Sequence, residues 1–230
     1  MGIDICGNIS RINDQIAQIC SRLGRNLSEV RLMAVSKMQP PEAVEEAIKC
    51  GLRLFGENRV LEGIDKFSAF DNSGSEVHLI GSLQGNKAKK AVSFFDCIQS
   101  VDRESLIEEL GKLTAARQNP LMVFLEFHTG EESKKGFPDT DSLFRAAEKV
   151  HSYPGLKPMG LMTMAPFTSD KKAIRASFGL CRAASAELEK RFGKCWAGLS
   201  MGMTGDYEIA LEEGSTLLRI GTAIFGNRQQ

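Results

Sequence analysis

The feature that most constrains this chain is an alternation repeated eight times. A short apolar run is followed by an amphipathic stretch, and then the pattern starts again. The runs are Leu32 to Val35, Arg53 to Phe55, Val77 to Ile80, Cys97 to Val101, Leu121 to Phe127, Met159 to Met164, Trp196 to Leu199 and Leu217 to Ile220. Between them the spacing predicts helices. Pro40 and Pro41 open one whose core face is Val44, Ala47, Ile48 and Gly51. Others begin near Glu57, at about Gln84, and near an Asp102 cap, the last burying Leu106, Leu110 and Leu113. Further helices are expected over about 139–150, 170–192 and 206–213, with a short one from Thr222. Thr168, Ser169 or Asp170 would cap the long one. Eight strand–helix units read as a closed parallel (β/α)8 TIM barrel of the α/β class, with a doubly wound open sheet as the competitor. Ahead of the first unit, Ile5, Ile9, Ile12, Ile16, Ile19 and Leu23 form one helical stripe, an extra N-terminal helix. No long Pro, Gly or Ser linker interrupts the pattern, so residues 1–230 are expected to form one domain.

Charge and cysteine usage narrow the function classes. Lys plus Arg total 29 and Asp plus Glu total 29, so the basic excess of a nucleic-acid binder is missing. The 42% hydrophobic and 25% charged content is that of a globular protein rather than a disordered one. None of the six cysteines has C-x-x-C spacing, and no two of the three histidines are four apart, so a metal site is not expected. The cysteines read as reduced, buried thiols of a cytoplasmic protein. Asp4, Asn13 and Asp14 interrupt the apolar stretch that a signal peptide would need, and Cys6 stands where myristoylation needs Ser or Thr. No apolar run approaches the roughly 18 residues of a membrane span.

In such a barrel the site lies at the carboxyl ends of the strands. There the chain places Ser36-Lys37, Gly56-Glu57-Asn58-Arg59, Gly81-Ser82, Thr163-Met164, Ser200-Met201-Gly202, Arg219 and Gly221-Thr222. A lysine at a half-buried mouth is desolvated, which favours the neutral amine and attack on a carbonyl. The plainer alternative is that Lys37 ends a strand and extends into water. Gly221 and Thr222 open the last helix, where backbone N–H groups suit a phosphate, with Ser200 and Gly202 as further donors; the alternative is a cap at a tight turn. Gly221 to Gly226 lacks the Lys-Ser/Thr of a P-loop, and Ser169 with Lys172 lacks the other motifs of the serine–lysine enzymes. Lys87, Lys89 and Lys90 read as a solvated helix face, with a partner contact open. His78 reads as a hydrogen-bonded structural histidine, and Glu126 would need a partner inside the barrel.

The segments MAVSK (33–37), FGENRV (55–60), HLIGSLQGNK (78–87), SVD (100–102), GEESKKGF (130–137), GLMTMAP (160–166), LSMGMTGDYEIALEEGST (199–216) and RIGTAIFG (219–226) together resemble the pyridoxal 5′-phosphate (PLP) homeostasis proteins, the YggS/PROSC family. The resemblance spans nearly the whole chain, and 199–226 is its most specific part. It implies a barrel like the N-terminal domain of alanine racemase. It implies a Schiff base between Lys37 and PLP, Arg219 at the pyridine nitrogen, and Ser200, Gly221 and Thr222 at the phosphate. It places Asn58 near the cofactor, Met164 near the ring and Lys134 near the phenolic oxygen. Met38, Gln39, Val77 and Gly205 depart from what many relatives carry, at the outer pocket.

The implied chemistry is that of a cofactor tuned by its protein. Arginine keeps its proton, so Arg219 would leave the ring nitrogen unprotonated and weaken the electron sink. A racemase needs a base on each face of its substrate. The racemases take the second from a tyrosine of another domain, whereas this sequence ends soon after the barrel, and neither Tyr153 nor Tyr207 sits at an expected strand end. The resulting expectation is a monomeric, non-catalytic PLP carrier that buffers the cofactor and delivers it to apo-enzymes. A racemase- or decarboxylase-type PLP enzyme is the alternative. A barrel enzyme acting on sugar phosphates without PLP is the third class.

Overall fold

The computed structural model describes residues 3–115, 117–131 and 135–226. Eight parallel strands pair in chain order and close on themselves. They are β1 (Arg31–Val35), β2 (Leu54–Glu57), β3 (Glu76–Leu79), β4 (Cys97–Val101), β5 (Leu121–Glu126), β6 (Leu156–Met162), β7 (Gly198–Ser200) and β8 (Leu217–Ile220). β1 closes the barrel on β8, with Met33 opposite Arg219 and Ala34 opposite Ile220. The open-sheet alternative is thereby excluded.

The helices are α1 (Ile5–Arg22), α2 (Pro41–Lys49), α3 (Val60–Phe67), α4 (Gly85–Phe94), α5 (Glu104–Thr114), α6 (Thr140–His151), α7 (Lys171–Phe192), α8 (Tyr207–Glu212) and α9 (Thr222–Phe225). α1 is the extra N-terminal helix. Asp4 caps it by accepting from the Gly7 N–H at 2.8 Å, and its isoleucine stripe from Ile5 to Ile19 is buried, while Leu23 stays exposed. Pro41 occupies the first turn of α2, where its missing N–H costs nothing. α7 is capped by Asp170. α5 departs from expectation: Arg103 is its cap residue, no side chain caps it, and Asp102 accepts from the Arg103 guanidinium instead.

Alternation along the strands sorts side chains into two cores. Phe55, Val77, Leu79, Ile98, Val123, Leu125, Leu161, Leu199, Leu218 and Ile220 join the large core that also holds the helix faces. Met33, Leu54, Cys97, Phe124, Met162 and Leu217 form a separate, smaller cluster filling the barrel. Trp196, expected in β7, lies in a 3-10 turn before it and is fully buried. β6 begins earlier than expected and ends at Met162. Gly160 and Gly198 face each other across β6 and β7. A Cβ on Gly160 would lie 1.9 Å from the Gly198 carbonyl oxygen, so the two backbones approach more closely than any side chain permits.

The cysteines differ from the sequence expectation. Cys20, Cys97 and Cys181 are buried free thiols and Cys195 an exposed one, but Cys6 and Cys50 form a disulfide joining α1 to the end of α2. Pairing depended on how two helices lie together, which spacing in the sequence does not reveal. Among the described residues no helix is long and apolar enough to cross a membrane, and no group of three or more His, Cys, Asp or Glu is placed to hold a metal ion.

Candidate functional site

β1 ends at Val35, and the chain turns sharply through Ser36 to Gln39. The Gln39 N–H donates to the Ser36 carbonyl at 3.0 Å. Met38 takes a left-handed conformation (φ 61°), the one such non-glycine residue among those described. Its N–H donates to Glu62 Oε1 at 2.5 Å, which holds that unfavourable conformation in place. Beneath the turn, the buried Lys66 Nζ donates to the Ser36 carbonyl at 2.6 Å and to Glu57 Oε1 at 2.7 Å, and the Ser36 hydroxyl donates to the same carboxylate at 2.7 Å. Burial pushes the Glu57 carboxyl above its ordinary range, and the Lys66 contacts pull it back only in part. Lys37 is thus carried, half-buried, on a turn anchored by a buried ion pair. Sequence reasoning missed this anchor. Glu62 and Lys66 look like an ordinary exposed pair four apart on a helix, and Glu57 was expected to begin that helix rather than to end β2.

The turn opens onto a cavity of about 420 Å³ at the carboxyl rim of the barrel. Lys37, Asn58, Met164, Arg219, Gly221 and Thr222 all line it, six of the residues singled out from sequence. Val35, Ile80, Met162 and Met203 give it apolar walls, and Gln39, Thr204 and Gly205 add polar edges. The Asn58 side chain makes no hydrogen bond among the described residues, which leaves its amide to the cavity. Gln39 and Gly205 were expected at the outer pocket, whereas Thr204 was not foreseen; it lies on the loop that follows β7, with Gly202 and Gly205.

Arg219 is 4% exposed. Its Nη1 donates to the Ser200 carbonyl at 2.5 Å and to Ser200 Oγ at 2.9 Å, and its Nη2 donates to the Thr163 carbonyl at 2.8 Å. These bonds use three of the five guanidinium N–H groups and pin its plane. Burial brings its pKa down to about 10, with the Asp206, Glu126 and Cys181 charges acting the other way, so it remains a cation at neutral pH.

Ser200 is the exception among the expected phosphate donors. It is fully buried, it does not line the cavity, and its hydroxyl donates to Gln99 Oε1 at 2.6 Å. Gly202 is likewise structural: its φ is 95°, and its carbonyl accepts from the Arg219 backbone N–H at 2.9 Å. His78 is the buried, hydrogen-bonded histidine expected. Glu126 is 3% exposed within the barrel. Lys134 lies outside the described residues. Lys89 and Lys90 are exposed and Lys87 is half-buried on α4, away from the cavity.

The donor set constrains the occupant. A half-buried amine, a buried guanidinium and an available amide sit among apolar walls, with backbone N–H groups at two glycine-containing segments, 204–205 and 221–222. That combination suits a flat, polar ring carrying a carbonyl group and an anionic arm, and the volume is that of a small-molecule pocket. PLP has these parts, so the residues present fit it.

Comparisons with known proteins agree with the geometry. The family described as alanine racemase, N-terminal domain, matches residues 8–229. The pyridoxal phosphate homeostasis protein of Aquifex aeolicus is 36% identical over 99% of this chain and all of its own length. The structure of PipY of Synechococcus elongatus PCC7942 without PLP superposes with a TM-score of 0.88 at 33% identity, covering 97% of this chain and all of that one. The same protein solved with PLP bound gives 0.81 at 35% identity, covering 92% of this chain and all of that one. Alanine racemase from E. faecalis, at 19% identity and TM-score 0.75, shares the fold over 99% of this chain and 59% of its own.

Proposed function

The chain belongs to the alanine racemase N-terminal domain family and, at full length, to its pyridoxal phosphate homeostasis proteins, and from that premise we propose that it binds PLP in the rim cavity and serves cellular PLP homeostasis. The observation that carries the reading is that Lys37 and Arg219, from strands adjacent in the closed barrel, line one cavity of cofactor size.

When bound, PLP supplies an aldehyde that a neutral amine captures reversibly. Lys37 is the amine placed to do so, on a turn whose anchors keep it at the mouth. Arg219 presents N–H donors where the ring nitrogen would lie. The backbone at Gly221 and Thr222, with Thr204 and Gly205 opposite, would hold the phosphate. Asn58 and Met164 would flank the ring. Ser200 serves Arg219 rather than the phosphate in this arrangement.

What supports a carrier over a racemase is the character of these groups. Arg219 keeps its proton at neutral pH, so it does not protonate the ring nitrogen and leaves the ring a weaker electron sink for carbanion chemistry. The two tyrosines stand elsewhere: the Tyr207 hydroxyl donates to Gln15 Oε1 at 2.9 Å, and the Tyr153 ring packs against Gly111. Neither lines the cavity. In this reading the protein works as a monomeric, single-domain barrel in the cytoplasm and gives PLP up to apo-enzymes.

The test is to load the protein with PLP, dialyse it, and offer it an apo-enzyme of known PLP demand. Stoichiometric loading followed by transfer, with no solvent deuterium appearing at the α-carbon of added amino acids, is the expected result. Deuterium incorporation at enzyme-like rates would overturn the carrier reading in favour of a PLP enzyme.

A further inference from the structure

A file of polar side chains, solvent-accessible at its first two members and buried beyond them, crosses the barrel from its amino-terminal rim to the cavity. Arg31 donates to both Glu76 oxygens, at 3.3 and 2.7 Å. His78 Nε2 lies 2.5 Å from Glu76 Oε1, and Gln99 Nε2 lies 2.7 Å from His78 Nδ1. Ser200 Oγ donates to Gln99 Oε1 at 2.6 Å, and Arg219 Nη1 donates to Ser200 Oγ at 2.9 Å. His78, Gln99 and Ser200 are each at most 1% exposed, so the links among these three lie out of reach of water, while Glu76, half-buried, and Arg31, exposed, end the file at the rim.

The chemistry of the two ends sets the direction of every bond between them. A carboxylate can only accept, so His78 carries its hydrogen on Nε2. In a neutral imidazole Nδ1 is then an acceptor, and it takes the Gln99 N–H. The Gln99 carbonyl is left facing Ser200, whose one hydroxyl proton must go there. The oxygen of that hydroxyl is thereby turned to accept from Arg219, which can only donate. Reversing any one link would set two donors or two acceptors against each other in a dry interior.

We propose that Gln99 and His78 are positioning residues of the cofactor site, which fix the Ser200 hydroxyl and through it the orientation of the Arg219 guanidinium. The proposal rests on the PLP reading for what Arg219 faces, and on the hydrogen-bond chain alone for how Arg219 is held. It also explains why a serine at the carboxyl end of β7 does not line the cavity.

The experiment has a part that needs no cofactor. With three histidines in the chain, the imidazole ¹⁵N signals can be assigned by single substitutions. The expected result in the native sequence at pH 7 is a neutral His78 with the proton on Nε2. A proton on Nδ1, or an imidazolium, would overturn the chain of bonds without any variant. The second part compares PLP uptake and the absorbance of the bound cofactor in the native protein and Gln99→Met. Binding about tenfold weaker, with a displaced absorbance maximum, is expected from loss of one hydrogen-bonded support of a buried cation. Unchanged affinity and spectrum would overturn the positioning role. Should Gln99→Met not fold, Gln99→Glu keeps the volume, and either its carboxyl or His78 must then carry one more proton for the Nδ1 link to survive. PLP uptake in that variant should therefore weaken as pH rises and that proton is lost, and a pH profile of uptake identical to the native protein's would contradict the proposal. Native protein that takes up no PLP would defeat the functional reading and the positioning role together. That outcome is distinguished from failure of the chain alone by the native uptake itself.

Discussion

At the scale of single residues, the rim of the barrel depends on which charges are buried and what holds them. Lys66 is the informative case, because its sequence context says surface and its surroundings say core. The amine is 5% exposed, and Glu57, which it neutralises, has an Oε2 with no hydrogen-bond partner. Lys66→Met should therefore cost roughly 3–5 kcal/mol in chemical denaturation, since it strands a buried carboxylate, and Lys66→Met with Glu57→Gln should recover part of that. A loss under about 1 kcal/mol would show that the pair is not the anchor described. Glu76 makes a second prediction. Burial alone would raise its carboxyl, but the hydrogen bonds from His78 and Arg31 outweigh burial and bring it down to about 2. A depressed carboxyl contributes stability that is complete above its unfolded pKa, near 4.5, and is lost as pH falls towards 2. Acid unfolding should accordingly be shallower between pH 4.5 and 2 in Glu76→Gln than in the native protein, which urea midpoints across that range would measure. The cavity-lining residues legible in sequence were those at strand ends: Lys37, Asn58, Met164, Gly221 and Thr222 stand just past apolar runs and Arg219 near the end of one, where a barrel puts its chemistry. Ser200 occupies the same kind of position, but its side chain takes the inner polar file, and no local pattern distinguishes the two outcomes.

At the scale of elements, all eight strands were legible because each is an apolar run bounded by polar or glycine residues. What the runs did not give were the places where tertiary contact shifts a boundary. β6 begins at Leu156, through Lys157 and Pro158, residues that read as a loop but pair with Met122 and Val123 of β5. Glu57 is polar yet ends β2, because Lys66 waits for it there. The Gly160–Gly198 contact is the tightest constraint between neighbouring strands. Gly160 has φ 138°, and its missing side chain faces backbone that cannot swing aside. Gly160→Ala should destabilise the barrel by at least about 3 kcal/mol, combining backbone strain with a forced separation of β6 and β7. Gly193→Ala is the control: its φ is also positive, at 94°, but no atom lies within 4 Å of the added Cβ. It should show the conformational cost alone. Equal losses in the two variants, measured by urea unfolding, would remove the close-approach argument.

At the scale of the whole molecule, α1 ties the two ends of the barrel together. Its buried stripe packs beside α9, the Asn8 side chain donates to the Ile224 carbonyl at 2.9 Å, and Cys6 bonds to Cys50 at the end of α2. The disulfide closes a loop with a sequence separation of 44, for which the chain-entropy model gives about 4 kcal/mol as a ceiling. Thermal unfolding should therefore move down by several degrees on reduction of the native protein, and reduction should have no effect on Cys6→Ser. Identical midpoints for oxidised and reduced native protein would show that the bond adds nothing to the packing of α1. Above these particulars stands one claim, that the rim cavity holds PLP through Lys37. The most direct measurement is to add PLP, reduce with borohydride, and map the modified peptide by mass spectrometry. One stoichiometric adduct is expected on the peptide carrying Lys37, lost in Lys37→Ala. An adduct on another lysine, or none in native protein saturated with PLP, would contradict that claim.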